Sequence, residues 1–99
     1  MDKEETIRLL SKSYYFLRTE YSVSGIGIFG SVVKGNMTDD SDLDIVVEFI
    51  RPIGFKFISF VEYLENLFSK KVNVITKDGI KNIRVKEVAR DIGKDIIYV

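Results

Sequence analysis

The residues of this sequence best suited to chemistry are a glycine–serine pair and two aspartates that follow it. Gly30-Ser31 is separated by ten residues from Asp42-Leu43-Asp44. The apolar run that begins at Leu43 is typical of a buried strand. Its period of two puts Asp42 and Asp44 on one face, with their Cα atoms roughly 6–7 Å apart. Two such carboxylates can share divalent ions, which clamp the attacking and leaving oxygens of a phosphoryl displacement.

The glycine–serine turn offers a place for phosphate. A glycine between a strand and a helix, such as Gly30, lets the backbone approach an anion closely, and the free N–H groups of the next turn can point at phosphate oxygens. The hydroxyl of Ser31 adds a donor, although a serine at a helix start is by itself an ordinary capping residue. Lys34, one turn later, suits either a phosphate contact or a solvated surface. The turn and the aspartates together favour a nucleotide site more than either does alone.

The two aspartates differ from the other acidic residues of this region. Asp39 and Asp40 lie in a polar stretch of turn-forming residues and read as solvated loop positions. Asp44 interrupts an apolar run, where a carboxylate is costly without a metal or a hydrogen-bond donor. We therefore take Asp42 and Asp44 as the candidate catalytic and metal-binding residues.

Three glycines match the spacing of the dinucleotide-binding fingerprint. Gly25, Gly27 and Gly30 have the spacing G-x-G-x-x-G, which requires a strand before the first glycine and a long helix after the last. Here the glycines fall inside the predicted strand, and Gly35 interrupts any following helix within a few residues. Close backbone approach in a tight sheet is the better interpretation of Gly25 and Gly27.

Hydrophobic periodicity predicts the elements that must position these residues. The predicted order is a helix over residues 3–19, a strand over 25–29, a helical turn over 31–34, a strand from the aspartates to about residue 50, a helix over 55–69, a strand over 71–76, a helix over 80–91 and an extended tail or strand over 96–99. This order predicts an α/β fold, a small mixed β-sheet with helices packed on it, in a single domain over residues 1–99.

Several other side chains read more simply as structure than as function. Asp78-Gly79 reads as the turn into the last helix. Four phenylalanines read as core rather than as a base-stacking platform: Phe55, Phe57, Phe60 and Phe68. Four basic residues read as a solvated helix face rather than as a phosphate or partner patch: Lys81, Arg84, Lys86 and Arg90.

Composition excludes several classes of function. Lys plus Arg and Asp plus Glu number 15 each, so no basic excess points to direct nucleic-acid binding. The absence of Cys excludes disulfides and thiolate metal sites, and the absence of His excludes imidazole bases. The charged N-terminus has no signal-peptide core, and no apolar stretch reaches membrane-spanning length. We therefore expect a cytoplasmic domain with no membrane association, whose chemistry depends on carboxylates, hydroxyls, amines or bound metal.

Gly30-Ser31 followed by Asp42-Leu43-Asp44 resembles the signature of the DNA polymerase β-like nucleotidyltransferase superfamily. The whole chain is similar to its minimal single-domain branch, the MNT-type antitoxins paired with HEPN-domain toxins. Four further segments carry the resemblance: residues 46–49, the break at residues 52–54, residues 71–76 and residues 97–99. The similarity therefore extends over nearly the full length of the chain.

This resemblance implies a minimal nucleotidyltransferase fold and Mg²⁺-dependent transfer of AMP from ATP to an acceptor hydroxyl. For this branch the implied acceptor is a tyrosine of the cognate HEPN toxin, whose ribonuclease activity is silenced by the modification. By the same resemblance, Gly30 and Ser31 bind the nucleotide, while Asp42 and Asp44 hold Mg²⁺ in a two-ion site. A self-associating domain and a heteromeric complex are both compatible with the sequence.

One position departs from the family pattern. In the family a third aspartate on the neighbouring strand helps to ligate the metal that activates the acceptor hydroxyl, and this chain has Asn73 there. An amide offers a neutral oxygen ligand but cannot act as a base. Glu48 lies roughly 13 Å along the strand from Asp44, and Asp78 lies past the end of the next strand, so neither is a convincing replacement. We expect the nucleotide-associated Mg²⁺ to be kept and the second ion site to be weakened.

Two other functions stay open at this point. The first is a binding module that keeps the fold and the nucleotide but neutralises its toxin by contact alone, and Asn73 favours it. The second is a small-molecule nucleotidyltransferase. It is disfavoured because no second domain is available to form a deep acceptor pocket.

Overall fold

The computed structural model describes residues 2–81 and 95–99, and eight elements fall within them. In chain order they are α1 (Lys3–Tyr21), β1 (Val23–Phe29), α2 (Ser31–Lys34), β2 (Leu43–Phe49), α3 (Lys56–Phe68), β3 (Val72–Thr76), α4 (Lys77–Lys81) and β4 (Ile97–Tyr98). The predicted elements up to β3 and the terminal strand are confirmed, with ends that differ from the prediction by at most two residues.

The strands form one mixed sheet in the order β3-β2-β1-β4. β1 pairs antiparallel with both β2 and β4, and β2 pairs in parallel with β3. Parallel neighbours need a crossover connection, and α3 lies within it. The predicted α/β fold with a small mixed sheet is therefore confirmed, and β2, which carries Asp44, is an inner strand.

The core lies between one face of the sheet and α1 and α3, the two longest helices among the described residues. Leu10 and Leu17 of α1 are fully buried, as are Phe60 and Leu64 of α3. They pack in one cluster with alternate strand residues: Ile26, Ile28, Ile45 and Val47. Burial of each such side chain contributes on the order of 1.5–3 kcal/mol. Because side chains alternate along a strand, this packing directs Asp44 to the opposite face of the sheet.

Capping and packing set the bounds of α1. The Asp2 side chain accepts a hydrogen bond from the Glu5 N–H at 2.8 Å at the start of the helix. The helix continues to Tyr21, two residues beyond the predicted end, because the Tyr21 ring packs edge-on against Phe60 with ring centroids 5.5 Å apart. Ser22 then adopts a left-handed conformation, with φ 58°, and ends the helix.

The prediction that Phe55 belongs to the core is wrong. Phe55 immediately precedes α3, and its side chain is 93% exposed. Phe60 and Phe68 are buried and Phe57 is partly buried, as predicted. Helical periodicity starts only at Lys56, so Phe55 lies outside the pattern that turns the other rings inward.

The prediction of a turn at Asp78-Gly79 is also wrong. α4 begins earlier, at Lys77, because the Thr76 hydroxyl accepts a hydrogen bond from the Gly79 N–H at 2.9 Å. The rest of the predicted helix over residues 80–91 lies outside the described residues. The same holds for the side chains of the predicted basic face: Lys81, Arg84, Lys86 and Arg90.

Within the described ranges, no helix combines the length and apolar character needed to cross a membrane.

The glycines of β1 have a structural role at one position. A Cβ on Gly27 would lie 2.6 Å from the Ile97 carbonyl oxygen, so close approach of β4 requires glycine there. Among the described residues, a Cβ on Gly25 would meet only the Cβ of Glu48, at 3.9 Å, so the same interpretation of Gly25 is wrong. The dinucleotide pattern also fails, because the helix that follows Gly30 has only four residues.

Candidate active site

Asp44 is the second residue of β2, which has β1 on one side and β3 on the other. The strand register sets it opposite Phe29 of β1 and opposite Asn73 of β3. Its side chain is half-buried, and Oδ1 accepts a hydrogen bond from Nδ2 of Asn73 at 3.2 Å. A carboxylate inside an apolar run is costly unless it accepts a hydrogen bond, and the Asn73 amide supplies that hydrogen bond.

The other oxygen of this carboxylate faces the turn after β1. Gly30 has φ 74° and ψ −142°, a conformation essentially restricted to glycine. A Cβ at this position would collide with Oδ2 of Asp44. The structure therefore brings Gly30 and Asp44 into direct contact, and glycine is needed at position 30 for both its conformation and this contact.

Ser31 is half-buried and begins the helical turn α2. The N–H groups of Val33 and Lys34 both donate to the Gly30 carbonyl at 3.1 Å. Gly35, with φ 79°, takes a left-handed conformation and ends the turn as predicted. The first N–H groups of a helix have no partner within it, and here hydrogen bonding within the turn begins at Val33.

Asp42 lies just before β2, and its side chain is exposed. The Leu43 N–H donates to the Lys71 carbonyl at 2.9 Å, so pairing with the neighbouring chain segment begins directly after Asp42. Asp42 also lines a cleft of about 510 Å³ between residues 37–42 and residues 68–71. Asp44 is not among the residues that line this cleft.

A divalent ion fits this donor set. Mg²⁺ is commonly held by one or two carboxylates, with waters and substrate phosphates completing its coordination. Asp42 and Asp44 offer those carboxylates, and the Asn73 amide adds no charge. Among the described residues, no group of three acidic, His or Cys side chains is suited to hold a metal. Two carboxylates beside a neutral amide are residue types that suit one nucleotide-associated Mg²⁺.

Glu48 and Asp78, the two acidic residues weighed as replacements for a third carboxylate, do not lie beside Asp44. Oε2 of Glu48 lies 3.4 Å from Nζ of Lys77. Glu48 and Asp78 both line a smaller cleft that includes the C-terminal end of β2, away from Asp44. Asp39 and Asp40 are exposed loop residues, as predicted.

One contact near this site has no signal in the sequence. Nζ of Lys70 donates to the backbone carbonyls of Thr38, at 3.3 Å, and Asp39, at 2.9 Å, in the loop that leads to Asp42. The chain reads Lys70-Lys71, and no local pattern distinguishes the first lysine from the second. Lys70 makes this contact because the loop passes the end of α3 on its side, so the contact could not be predicted from the sequence.

Comparison with known proteins gives a match over residues 10–99 to the nucleotidyltransferase domain. The chain is 39% identical over 98 residues to a predicted protein adenylyltransferase of Methanocaldococcus jannaschii, and the match covers 96% of this chain and 95% of the relative. It is 36% identical over 97 residues to the protein adenylyltransferase MntA of Thermococcus cleftensis, with 97% and 94% covered.

Two solved structures share the fold. A predicted minimal nucleotidyltransferase matches with a TM-score of 0.73 at 23% identity, over 98% of this chain and 95% of that one. A toxin–antitoxin crystal structure with AMP-PNP matches with a TM-score of 0.63 at 15% identity, over 99% and 72%. At these identities the likeness establishes the fold alone, and the minimal nucleotidyltransferase fold is confirmed.

Proposed function

Because the chain belongs to the nucleotidyltransferase domain family, we propose that it is an antitoxin that transfers AMP from ATP to a tyrosine hydroxyl of a cognate HEPN ribonuclease toxin. The observation that carries this proposal is the contact of the Asp44 carboxylate with the glycine turn at Gly30. That contact sets a metal-binding group against backbone suited to phosphate. Relatives named as protein adenylyltransferases, and a similar fold in a toxin–antitoxin structure with AMP-PNP, support a protein acceptor and an adenine nucleotide.

The glycine turn would hold the triphosphate. The free N–H groups at the start of α2 and the Ser31 hydroxyl would donate to phosphate oxygens. Gly30 keeps this surface open, because a side chain there would enter the space beside Asp44. Asp42 and Asp44 would hold Mg²⁺, which when bound neutralises phosphate charge and aligns the α-phosphate.

AMP transfer is a displacement at the α-phosphorus. The acceptor oxygen forms a bond to phosphorus, the bond to the pyrophosphate oxygen breaks, and the hydroxyl proton passes to solvent. Positioning and electrostatic stabilisation supply most of the rate in such reactions. The Asn73 amide can neither take the acceptor proton nor add charge to a second ion site. We therefore expect transfer to be slower than in a chain with a third carboxylate.

A second function is favoured by the same amide. Asn73 occupies the position of the third family carboxylate and donates to Asp44. A chain with a weakened second ion site would still bind nucleotide through Asp42, Asp44 and the glycine turn. Such a chain would neutralise its toxin by direct binding, without modifying it.

Intact-mass spectrometry separates these two functions. The cognate HEPN protein is incubated with this chain, ATP and Mg²⁺, and Asp44→Asn serves as the matched inactive control. We expect one or more AMP units on the partner with the wild-type chain and none with the variant. A stable complex with an unmodified partner would contradict transfer and support neutralisation by binding.

A further inference from the structure

Lys70 ties the loop before Asp42 to the end of α3. Its Nζ donates to the carbonyl oxygens of Thr38 and Asp39, at 3.3 and 2.9 Å. Lys70 is half-buried, whereas the adjacent Lys71 is exposed. Hydrogen bonds from a charged donor are stronger than neutral ones, so this pair of contacts restrains the loop more than two neutral bonds would.

The segment that carries Lys70 is itself held in place. Ser69 ends α3 with φ 52°, and the N–H groups of Ser69 and Lys70 both donate to the Glu65 carbonyl. The Glu65 carboxylate accepts a hydrogen bond from the Val72 N–H at 3.3 Å, at the start of β3. Lys70 therefore extends from a corner that is fixed to both α3 and β3.

The loop has its own internal bonds on the other side of the contact. The Ser41 N–H donates to the Thr38 carbonyl at 3.1 Å, and Ser41 Oγ accepts from the Thr38 N–H at 3.0 Å. The Leu43 N–H donates to the Lys71 carbonyl. Asp42 therefore lies between two attachments to the same corner, one through the Lys70 ammonium and one through the backbone of Leu43.

We propose that Lys70 is a positioning residue that holds Asp42 in place for the metal site. This inference rests on the proposed function, because it assigns Asp42 to Mg²⁺. Asp42 is exposed and lies outside β2, so strand pairing alone does not fix its carboxylate. Without the Lys70 contact, residues 38–41 gain freedom, and that freedom must be lost again when a metal binds.

Two simpler roles for Lys70 need no contact with the loop. A lysine beyond a helix end interacts favourably with the helix dipole, and a positive charge beside a cleft attracts anions. Lys71 provides the matched control for both, because it is adjacent, has the same charge and lines the same cleft with an exposed side chain.

The first test is the affinity of each variant for Mn²⁺ alone, read from the broadening of backbone amide resonances near Asp42 and Asp44. Groups that bond a metal ligand directly contribute roughly 10–100-fold in affinity, and Lys70 acts one step further away, so Lys70→Met should weaken binding about 3–10-fold. Lys71→Met should keep the wild-type affinity. Lys70→Arg, whose guanidinium can donate to both carbonyls, should restore most of the lost affinity.

The second test is amide hydrogen exchange, which requires neither metal nor nucleotide. Exchange at Thr38 and Ser41 should be faster in Lys70→Met than in the wild type and unchanged in Lys71→Met. Wild-type exchange and wild-type Mn²⁺ affinity in Lys70→Met would overturn the inference, as would an equal loss of affinity in Lys71→Met. A wild-type chain that binds no Mn²⁺ would refute the proposed metal site itself, and the exchange data distinguish that failure from failure of the Lys70 contact.

Discussion

The Asn73 amide donates a hydrogen bond to Oδ1 of Asp44 at 3.2 Å, across the parallel pairing of β2 with β3. In this register, any residue at position 73 lies beside Asp44, because paired strands are only about 4.7–4.9 Å apart. A carboxylate at position 73 could share a metal with Asp44. The amide instead donates a hydrogen bond to the Asp44 carboxylate, and it would offer no charge to a second ion.

Asn73→Asp should therefore raise the rate of AMP transfer about tenfold or more, because a second carboxylate beside Asp44 completes a two-ion site. The measurement is the rate of AMP incorporation into the partner at saturating ATP and Mg²⁺. Asn73→Ser removes the amide without adding charge, so it serves as the control and should not accelerate transfer. Wild-type transfer as fast as that of Asn73→Asp would contradict this account of position 73.

The same substitution should make folding stability depend on metal. Without Mg²⁺, a hydrogen-bonded pair becomes two like charges on adjacent strands, which should lower the free energy of unfolding by about 1 kcal/mol. The Tm of metal-free Asn73→Asp should therefore fall about 4–8 °C and recover when Mg²⁺ is added. The wild-type Tm should rise less than that of Asn73→Asp when Mg²⁺ is added, because binding at a single ion site stabilises the folded state less. Identical melting of Asn73→Asp in both buffers would show that position 73 adds nothing to a metal site.

Asp44→Asn should abolish Mg²⁺-dependent nucleotide binding and leave the fold intact. The new amide oxygen can still accept the bond from Asn73, so the free energy of unfolding should change by about 1 kcal/mol or less. Calorimetric titration with AMP-PNP and Mg²⁺, together with urea unfolding, measures both quantities. Glu48→Gln is the control on the same strand: its exposed ion pair with Lys77 contributes at most about 1 kcal/mol, and nucleotide binding should be unchanged. Global unfolding of Asp44→Asn would make Asp44 structural.

Gly30→Ala should reduce AMP transfer by about 100-fold or more, because the new methyl group collides with Oδ2 of Asp44 and misplaces the carboxylate. It should also lower the free energy of unfolding by about 2–3 kcal/mol, through that collision and through backbone strain. Gly35→Ala is the matched control at the other end of α2. Its φ is also positive, at 79°, but apart from its chain neighbours no described residue lies within 4 Å of the new Cβ.

We expect Gly35→Ala to cost about 1–2 kcal/mol of stability and to retain transfer. Transfer rates normalised to the folded fraction compare the two glycine variants directly. An equal loss of transfer in both would mean that strain in α2, rather than the contact of Gly30 with Asp44, governs activity.

Gly27→Ala should lower the free energy of unfolding by about 1–3 kcal/mol, because its Cβ would overlap the Ile97 carbonyl and push β4 away from β1. Gly25→Ala, two residues earlier on the same strand, should be nearly neutral or slightly stabilising. Urea unfolding of both variants measures the difference. Equal stabilities would show that β4 adjusts its position without cost.

Local patterns were sufficient to predict most elements of the fold. The short turn α2 was predicted correctly because a glycine stands at each end of it, and positive φ angles at Gly30 and Gly35 favour that residue type. The start of α4 was not predictable in the same way. There the Thr76 hydroxyl caps the helix and overrides the turn tendency of Asp78-Gly79, and that competition depends on the side-chain geometry at the end of β3.

By itself the sequence determined the chemical inventory of the candidate site and the spacing of its members. It contains no His and no Cys, it places Asp42 and Asp44 two residues apart at the start of a predicted strand, and it carries Asn73 where the family resemblance implies a third aspartate. Residue type and periodicity are properties of short segments, so they can be read without a structure.

The tertiary structure decided which of these residues are in contact. The contact of Asp44 with Gly30 depends on antiparallel pairing with β1, and its hydrogen bond with Asn73 depends on the parallel register with β3. The choice of Lys70 over Lys71 depends on where the loop passes the end of α3. Segments far apart in the chain are brought together in each case, and only packing and strand register set the distances between them.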